Sequence, residues 1–137
     1  MSEIVIFADA EALLVRYLAD ALSDRGRAVP VSTKKLTGQS KTIVTSTFVV
    51  VALLGGSQTS ARIEAVNFSI EAHAPDEVEA AELAALIRGL IPGIAYAPGS
   101  SVLGTTERAR PQPFPDPMTG LPSYTQQHEI RISGTAA

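Results

Sequence analysis

The sequence predicts an α+β fold: a mostly antiparallel sheet with two amphipathic helices packed on one face. Three observations lead there. Two stretches carry apolar residues at helical spacing, several others alternate with period two or are rich in β-branched residues, and the order is helix, strands, helix, strands. At 137 residues the chain reads as a single domain over residues 1–137, large enough for one core. Hydrophobic residues make up 45% of it, but with four Phe, three Tyr and no Trp the core must be built mainly from Val, Ile, Leu and Ala.

The first helix is expected over Ala10–Leu22. Asp9 is placed to cap it, and Ala10, Leu13, Leu14, Tyr17, Leu18, Ala21 and Leu22 form one apolar face before Gly26 stops the helix. A short extended piece at Ala28–Val31 follows, marked as edge or irregular by Pro30. Ser32–Lys41 reads as a polar loop. From Thr42 to Ala61 no residue is charged, and Ile43, Val44, Phe48, Val49, Val50, Val51, Leu53 and Leu54 give strong strand character until Gly55-Gly56-Ser57 interrupts it. Val66, Phe68, Ile70 and Ala72 then alternate with Ala65, Asn67, Ser69 and Glu71, a strand with one buried face.

Pro75 suits a first helical position and Asp76 and Glu77 favour the positive end of the helix dipole, so a second helix is expected to about Ile91. Leu83, Leu86, Ile87 and Leu90 form its stripe, and Pro92-Gly93 ends it. Val102–Arg108 reads as a strand. Four prolines between Pro111 and Pro117 predict a semi-rigid extended connection outside any ladder. Tyr124–Ile132 is the last strand, with Ser133–Ala137 as a frayed tail.

The absence of cysteine excludes disulfides, thiol nucleophiles and cysteine-based zinc sites, and fits a reducing compartment. The start of the chain lacks the pattern of a signal peptide, and the longest apolar run, Phe48–Leu54, is too short to span a bilayer, so a soluble protein is expected. A net charge of −3 argues against sequence-independent DNA binding. The charge is uneven, however. Arg25, Arg27, Lys34, Lys35 and Lys41 form a basic stretch without acids, whereas Glu77, Glu79 and Glu82 crowd the second helix. The basic stretch is either a solvated loop or a surface for an acidic partner or passing DNA.

Candidate chemistry is sparse. His73 and His128 fall on separate strands, without a third ligand in view, and are expected as ordinary surface or boundary histidines. Gly55-Gly56-Ser57 and Gly99-Ser100-Ser101 have the composition of a nucleophile turn but lack the Gly-x-Ser-x-Gly pattern. No phosphate-binding glycine loop is present. The sequence therefore predicts no catalytic residue, no metal, no cofactor and no enzyme. The uncharged Thr42–Ala61 segment has two readings: ordinary core, or a surface buried against another subunit. On the second reading Phe48, Val49, Val50, Val51, Leu53, Gly55 and Gly56 are the interface residues, with the basic residues Arg25 to Lys41 facing a partner.

Four stretches resemble the tail terminator, or tail completion, proteins of long-tailed bacteriophages, in the form found in actinobacterial phages. They are Asp9-Ala10-Glu11-Ala12-Leu13-Leu14-Val15-Arg16-Tyr17-Leu18 and the strand closing on Gly55-Gly56, similar to the family's double-glycine hairpin. To these add Ser69-Ile70-Glu71-Ala72-His73-Ala74-Pro75-Asp76-Glu77 with Ala80-Ala81-Glu82-Leu83-Ala84, and the turn Pro115-Asp116-Pro117-Met118-Thr119-Gly120-Leu121-Pro122-Ser123-Tyr124. The family often has Trp-Gly where this chain has His73-Ala74. The resemblance spans nearly the whole chain. It implies a single tail-terminator-like domain that forms a hexameric ring on the tail tube, ends tube polymerisation and docks on the head–tail connector or stopper. DNA would pass through the lumen. It further implies a virion protein of the tail neck, assembled in the host cytoplasm, without catalytic residues or membrane contact. The alternatives are another neck component, such as a stopper or tube protein, or a small cytoplasmic enzyme or ligand-binding domain with both histidines in one pocket.

Overall fold

A computed structural model describes residues 4–33, 47–114 and 120–137. The chain order is β1 (Val5–Ile6), α1 (Ala10–Asp24), β2 (Val31–Ser32), β3 (Phe48–Ser60), β4 (Ile63–His73) and α2 (Glu77–Leu90). A 3₁₀ turn over Ile91–Tyr96 leads into β5 (Val102–Pro113), β6 (Ser123–Ser133) and β7 (Thr135–Ala136). Five strands form a sheet in the order β2-β3-β4-β6-β5, antiparallel except for the parallel β2–β3 pair, and β1 pairs with β7 in a separate ribbon. This is the α+β architecture expected from the sequence, with both helices on one face of a mostly antiparallel sheet.

The helix α1 forms because its residues cap and pack it. Asp9 accepts a hydrogen bond from the Ala12 amide at 3.1 Å, and Ala10, Leu14, Leu18 and Leu22 recur every fourth residue on the buried side. Each of the three leucines, fully buried, contributes about 1.5–3 kcal/mol of transfer free energy. At its end the Gly26 amide donates to Ser23 and the Arg27 amide to Leu22, a Schellman closure that needs the left-handed conformation Gly26 adopts. The second helix is capped by Asp76, which accepts from the Glu79 amide at 2.8 Å, and buries Ala80, Leu83, Ala84 and Ile87. Pro75 thus precedes the cap instead of occupying the first helical position, because the Asp76 carboxylate is the acceptor that closes the first turn.

The core lies between the helices and one face of the sheet. Val49 and Val51 of β3, Val66, Phe68, Ile70 and Ala72 of β4, and Ile130 and Ile132 of β6 meet the leucines of α1 and Leu83, Ala84 and Ile87 of α2. Tyr17 donates its hydroxyl to the Leu90 carbonyl at 2.6 Å, so α1 satisfies an acceptor at the last turn of α2 where the chain tightens into the 3₁₀ turn.

Three sequence expectations are corrected. The Gly55-Gly56 pair does not end β3: Leu53 pairs with Phe68 and Gly55 with Asn67, so Leu54 is the extra residue of a bulge and the ladder continues to Ser60. Strand β5 runs through Pro111 to Pro113, because it is an edge strand whose outer side needs no partner and whose register shifts repeatedly against β6. The C-terminal residues do not fray. Thr135 and Ala136 pair with Ile6 and Val5, and the Ala137 amide donates to Ile4 at 2.8 Å. Two-residue strands carry no periodicity to read, so β1 had no signal at all.

Candidate interaction surface

The residues that sequence reasoning assigned to a subunit interface fall into two groups. Phe48, Val49, Val50 and Val51 are buried within this chain, the first stacked on the His73 ring at 4.5 Å. They are core. From Leu53 onward the same strand is exposed, with Leu53 and Leu54 each 54% accessible and Gly55 to Ser60 exposed as well. Among the described residues, β2 covers the outer edge of β3 at Val49 and Val50, and no strand pairs with that edge from Val51 to Ser60.

The bulge at Leu54 and the two glycines shape this edge. A side chain on Gly56 would place its Cβ 2.2 Å from the Ala65 carbonyl oxygen and 2.9 Å from the Val66 Cα, so β3 approaches β4 in a way that excludes any larger residue. Gly55 has φ +136°, a conformation that side chains resist.

The two edges of the sheet differ in kind. On β5, Glu107, Arg108 and Arg110 bring charge, Pro111 and Pro113 remove donors, and the register shifts distort the ladder. Such features guard an edge against pairing with another chain. On β3 from Val51 to Ser60 there is no charge and no proline, and two leucines face solvent.

On the face of the sheet away from the helices, Phe48, Val50 and His73 are buried at the start of β3 and the end of β4, whereas the part over β6 and β5 is polar and satisfied by its own side chains. Ser69 and Thr125 hydrogen bond at 3.1 Å, and Arg131 reaches Thr106 at 2.8 Å and Glu129 at 3.2 Å. Arg108 also pairs with Glu129. The hydrogen bond from Arg108, reinforced by Arg131 against the opposing effect of desolvation, holds the Glu129 carboxyl below its usual range.

Both histidines are buried, correcting the surface or boundary placement expected for them. His73 lies beside Glu71, with Nε2 at 3.1 Å from Oε1, and under Phe48. His128 lies on the helix-facing side, where its Nε2 meets Gln126 Oε1 at 2.7 Å and Gln126 donates to the Ala84 carbonyl at 3.0 Å. Burial pushes the His128 pKa down; Glu107, its neighbour across the ladder, opposes that, and Arg88 adds to it. Arg88 and Glu107 pair with each other at 2.6 Å over this spot. The signal was present in the sequence: Gln126 and His128 share the phase of Ile130 and Ile132, which are core.

The register puts the two histidines on opposite faces of the sheet, His73 with Ser123 and His128 with Phe68, so they do not share one pocket as the enzyme alternative requires. Among the described residues no group of three or more histidines and carboxylates is positioned to hold a metal ion. Of the basic stretch, Arg25 is exposed and Arg27 half-buried just beyond α1; Lys34, Lys35 and Lys41 lie outside the described residues. The same holds for Thr42 to Ser46 and for Pro115 to Thr119 of the acidic-proline turn. No described helix is long and apolar enough to cross a membrane. No family model matches the chain, and no curated protein matches it.

Proposed function

We propose that this chain is a ring-forming structural subunit of the tail terminator kind. It would cap the tail tube, end tube growth and join the tail to the head connector, with DNA passing through the ring. The observation that carries this reading is the outer edge of β3 from Val51 to Ser60, which no strand pairs among the described residues, and which is uncharged, without proline and carries the exposed Leu53 and Leu54. A lone subunit with such an edge is prone to aggregation, and a closed ring of copies removes the hazard by covering it. The four stretches that resemble tail terminators support the same reading, as does the α+β fold they imply. The interface on this reading is narrower than the sequence suggested: Leu53, Gly55 and Gly56 remain candidates, joined by Leu54, whereas Phe48 to Val51 are buried within the subunit.

On this reading the protein works by assembly, not by catalysis, and needs no cofactor. Its partners are other copies of itself, in a hexamer, together with the tube protein and the connector or stopper. Its place is the neck of the virion. The basic residues from Arg25 to Lys41 face a neighbouring subunit or the connector and stay out of the lumen, where an inert wall lets DNA pass.

The chain has no cysteine, so a single introduced thiol is a clean probe. Ser57→Cys, modified with a photo-crosslinker and followed by denaturing electrophoresis and negative-stain imaging, should give inter-subunit crosslinks and six-fold rings. Rings whose crosslinks all lie elsewhere would remove the β3 edge from the interface. Failure to assemble at high concentration, alone and on purified phage tail tubes, would sink the terminator reading.

A further inference from the structure

A groove of about 470 Å³ runs along α1, outside the surface discussed so far. One wall is a single stripe of the helix, Leu13, Tyr17 and Ala21 with the charged Arg16, Asp20 and Asp24; the other is the turn from Ala97 to Ser100. Ile94 and Val102 are buried beneath it. The floor is therefore apolar, and charge is ordered along the rim: Arg16 near one end, then Asp20 and Asp24 on successive turns. Among the described residues neither aspartate is engaged in an ion pair. Volume, apolar floor and a few placed charges are the attributes of a site for a short segment.

We propose that this groove receives the Lys34-Lys35-Leu36 tract of a neighbouring copy of the chain, a proposal that rests on the ring reading above. The tract offers what the groove lacks: two adjacent cations for Asp20 and Asp24 and one apolar side chain for the floor. The Arg16 charge sets the direction, because the lysines are repelled from its end. Topology favours a neighbour as donor. The tract leaves the described fold after Thr33 beside β2, at one edge of the sheet, whereas Val102 in the groove opens β5 at the other. A contact between different surfaces of successive copies is head-to-tail, and that is the kind of contact that closes a ring.

The test uses the full chain carrying Lys34→Glu and Lys35→Glu, so that its own tract does not compete, and a fluorescein-labelled peptide of residues 32–42. Anisotropy should show saturable binding, weakened about tenfold when Asp20→Lys and Asp24→Lys are added, since two attractive pairs become repulsive. In the otherwise natural chain, Asp20→Lys with Asp24→Lys should lower self-association about tenfold by sedimentation velocity, and adding Lys34→Glu with Lys35→Glu should restore it. Circular dichroism melts check that these substitutions leave the fold intact. Equal peptide binding with and without the Asp→Lys changes would overturn the proposal, as would an assembly defect that the charge swap does not restore. Six-fold rings unaffected by Asp20→Lys and Asp24→Lys would overturn it too and leave the ring reading standing. Tenfold weakening of the peptide without rings under any condition would support the groove and sink the ring.

Discussion

Gln126 donates its side-chain amide to the Ala84 carbonyl at 3.0 Å, tying the middle of β6 to the middle of α2 inside the core. Its other end meets His128 Nε2 at 2.7 Å, so the amide is used at both ends and defines the ring nitrogen that carries the proton. A fully buried glutamine is tolerated because it is satisfied. Gln126→Leu keeps much of the volume but leaves the His128 nitrogen without that partner, and should cost about 1–3 kcal/mol in urea unfolding. Adding His128→Leu removes the stranded group and should recover part of the loss. A double variant that loses the full sum of two single effects would show that the pair is not coupled.

Burial lowers the His128 pKa in the folded state below its ordinary value of 6.5. The unfolded chain therefore binds the proton more readily than the folded one. Stability from this group is present above pH 6.5 and falls as the pH drops from there through the folded pKa. Measured unfolding free energies should decline across this acid window, and the decline should be shallower in His128→Gln. A profile unchanged by that substitution would place the titration elsewhere. Glu129 adds to the loss at lower pH, because Arg108 holds its carboxyl below the usual value and the pairing is lost as it protonates.

Two glycines in ladder and helix should respond in opposite directions to the same change. Gly56→Ala forces a Cβ against the Ala65 carbonyl oxygen at 2.2 Å, a backbone contact that cannot move aside cheaply. It should destabilise the fold by about 1–3 kcal/mol. Gly89, inside α2, has nothing within 4 Å of the added atom, and Ala there should stabilise by about 0.5–1 kcal/mol through helix propensity. Thermal melts of the two variants compare them directly; a neutral Gly56→Ala would mean that the β3–β4 pairing relaxes at the bulge.

What the sequence made legible was whatever had period or a cap. Asp9 and Asp76 mark the helix starts, and the alternation from Val66 to Ala72 and from Tyr124 to Ile132 marks the two central strands. What it hid depends on neighbours far along the chain. Glycine and proline ordinarily break strands, yet Gly55-Gly56 sits on a bulge and Pro111 and Pro113 on an edge, and neither position is visible until the strand order is known. The division of the uncharged segment between core and surface at Leu53 is of the same kind. It depends on which distant elements pack over each part of β3, and no local pattern records that.

The exposed pair Leu53 and Leu54 gives the most direct handle on assembly. Both side chains are 54% accessible, so replacing them removes little from the folded subunit. Leu54 is the unpaired residue of the bulge, and Leu53 stands at the point where β3 leaves the cover of the core. Leu53→Glu with Leu54→Glu adds two charges to an edge that has none, the device by which natural edge strands avoid pairing. Circular dichroism should show the fold retained, with a melting temperature within about 4 °C of the parent, as expected for a change of about 1 kcal/mol in a domain of this size. Self-association should fall at least tenfold by sedimentation velocity, because two charges would be buried without partners at every interface. If the doubly charged variant assembles as the parent does, the β3 edge is not where copies meet, and the subunit must cover it by other means.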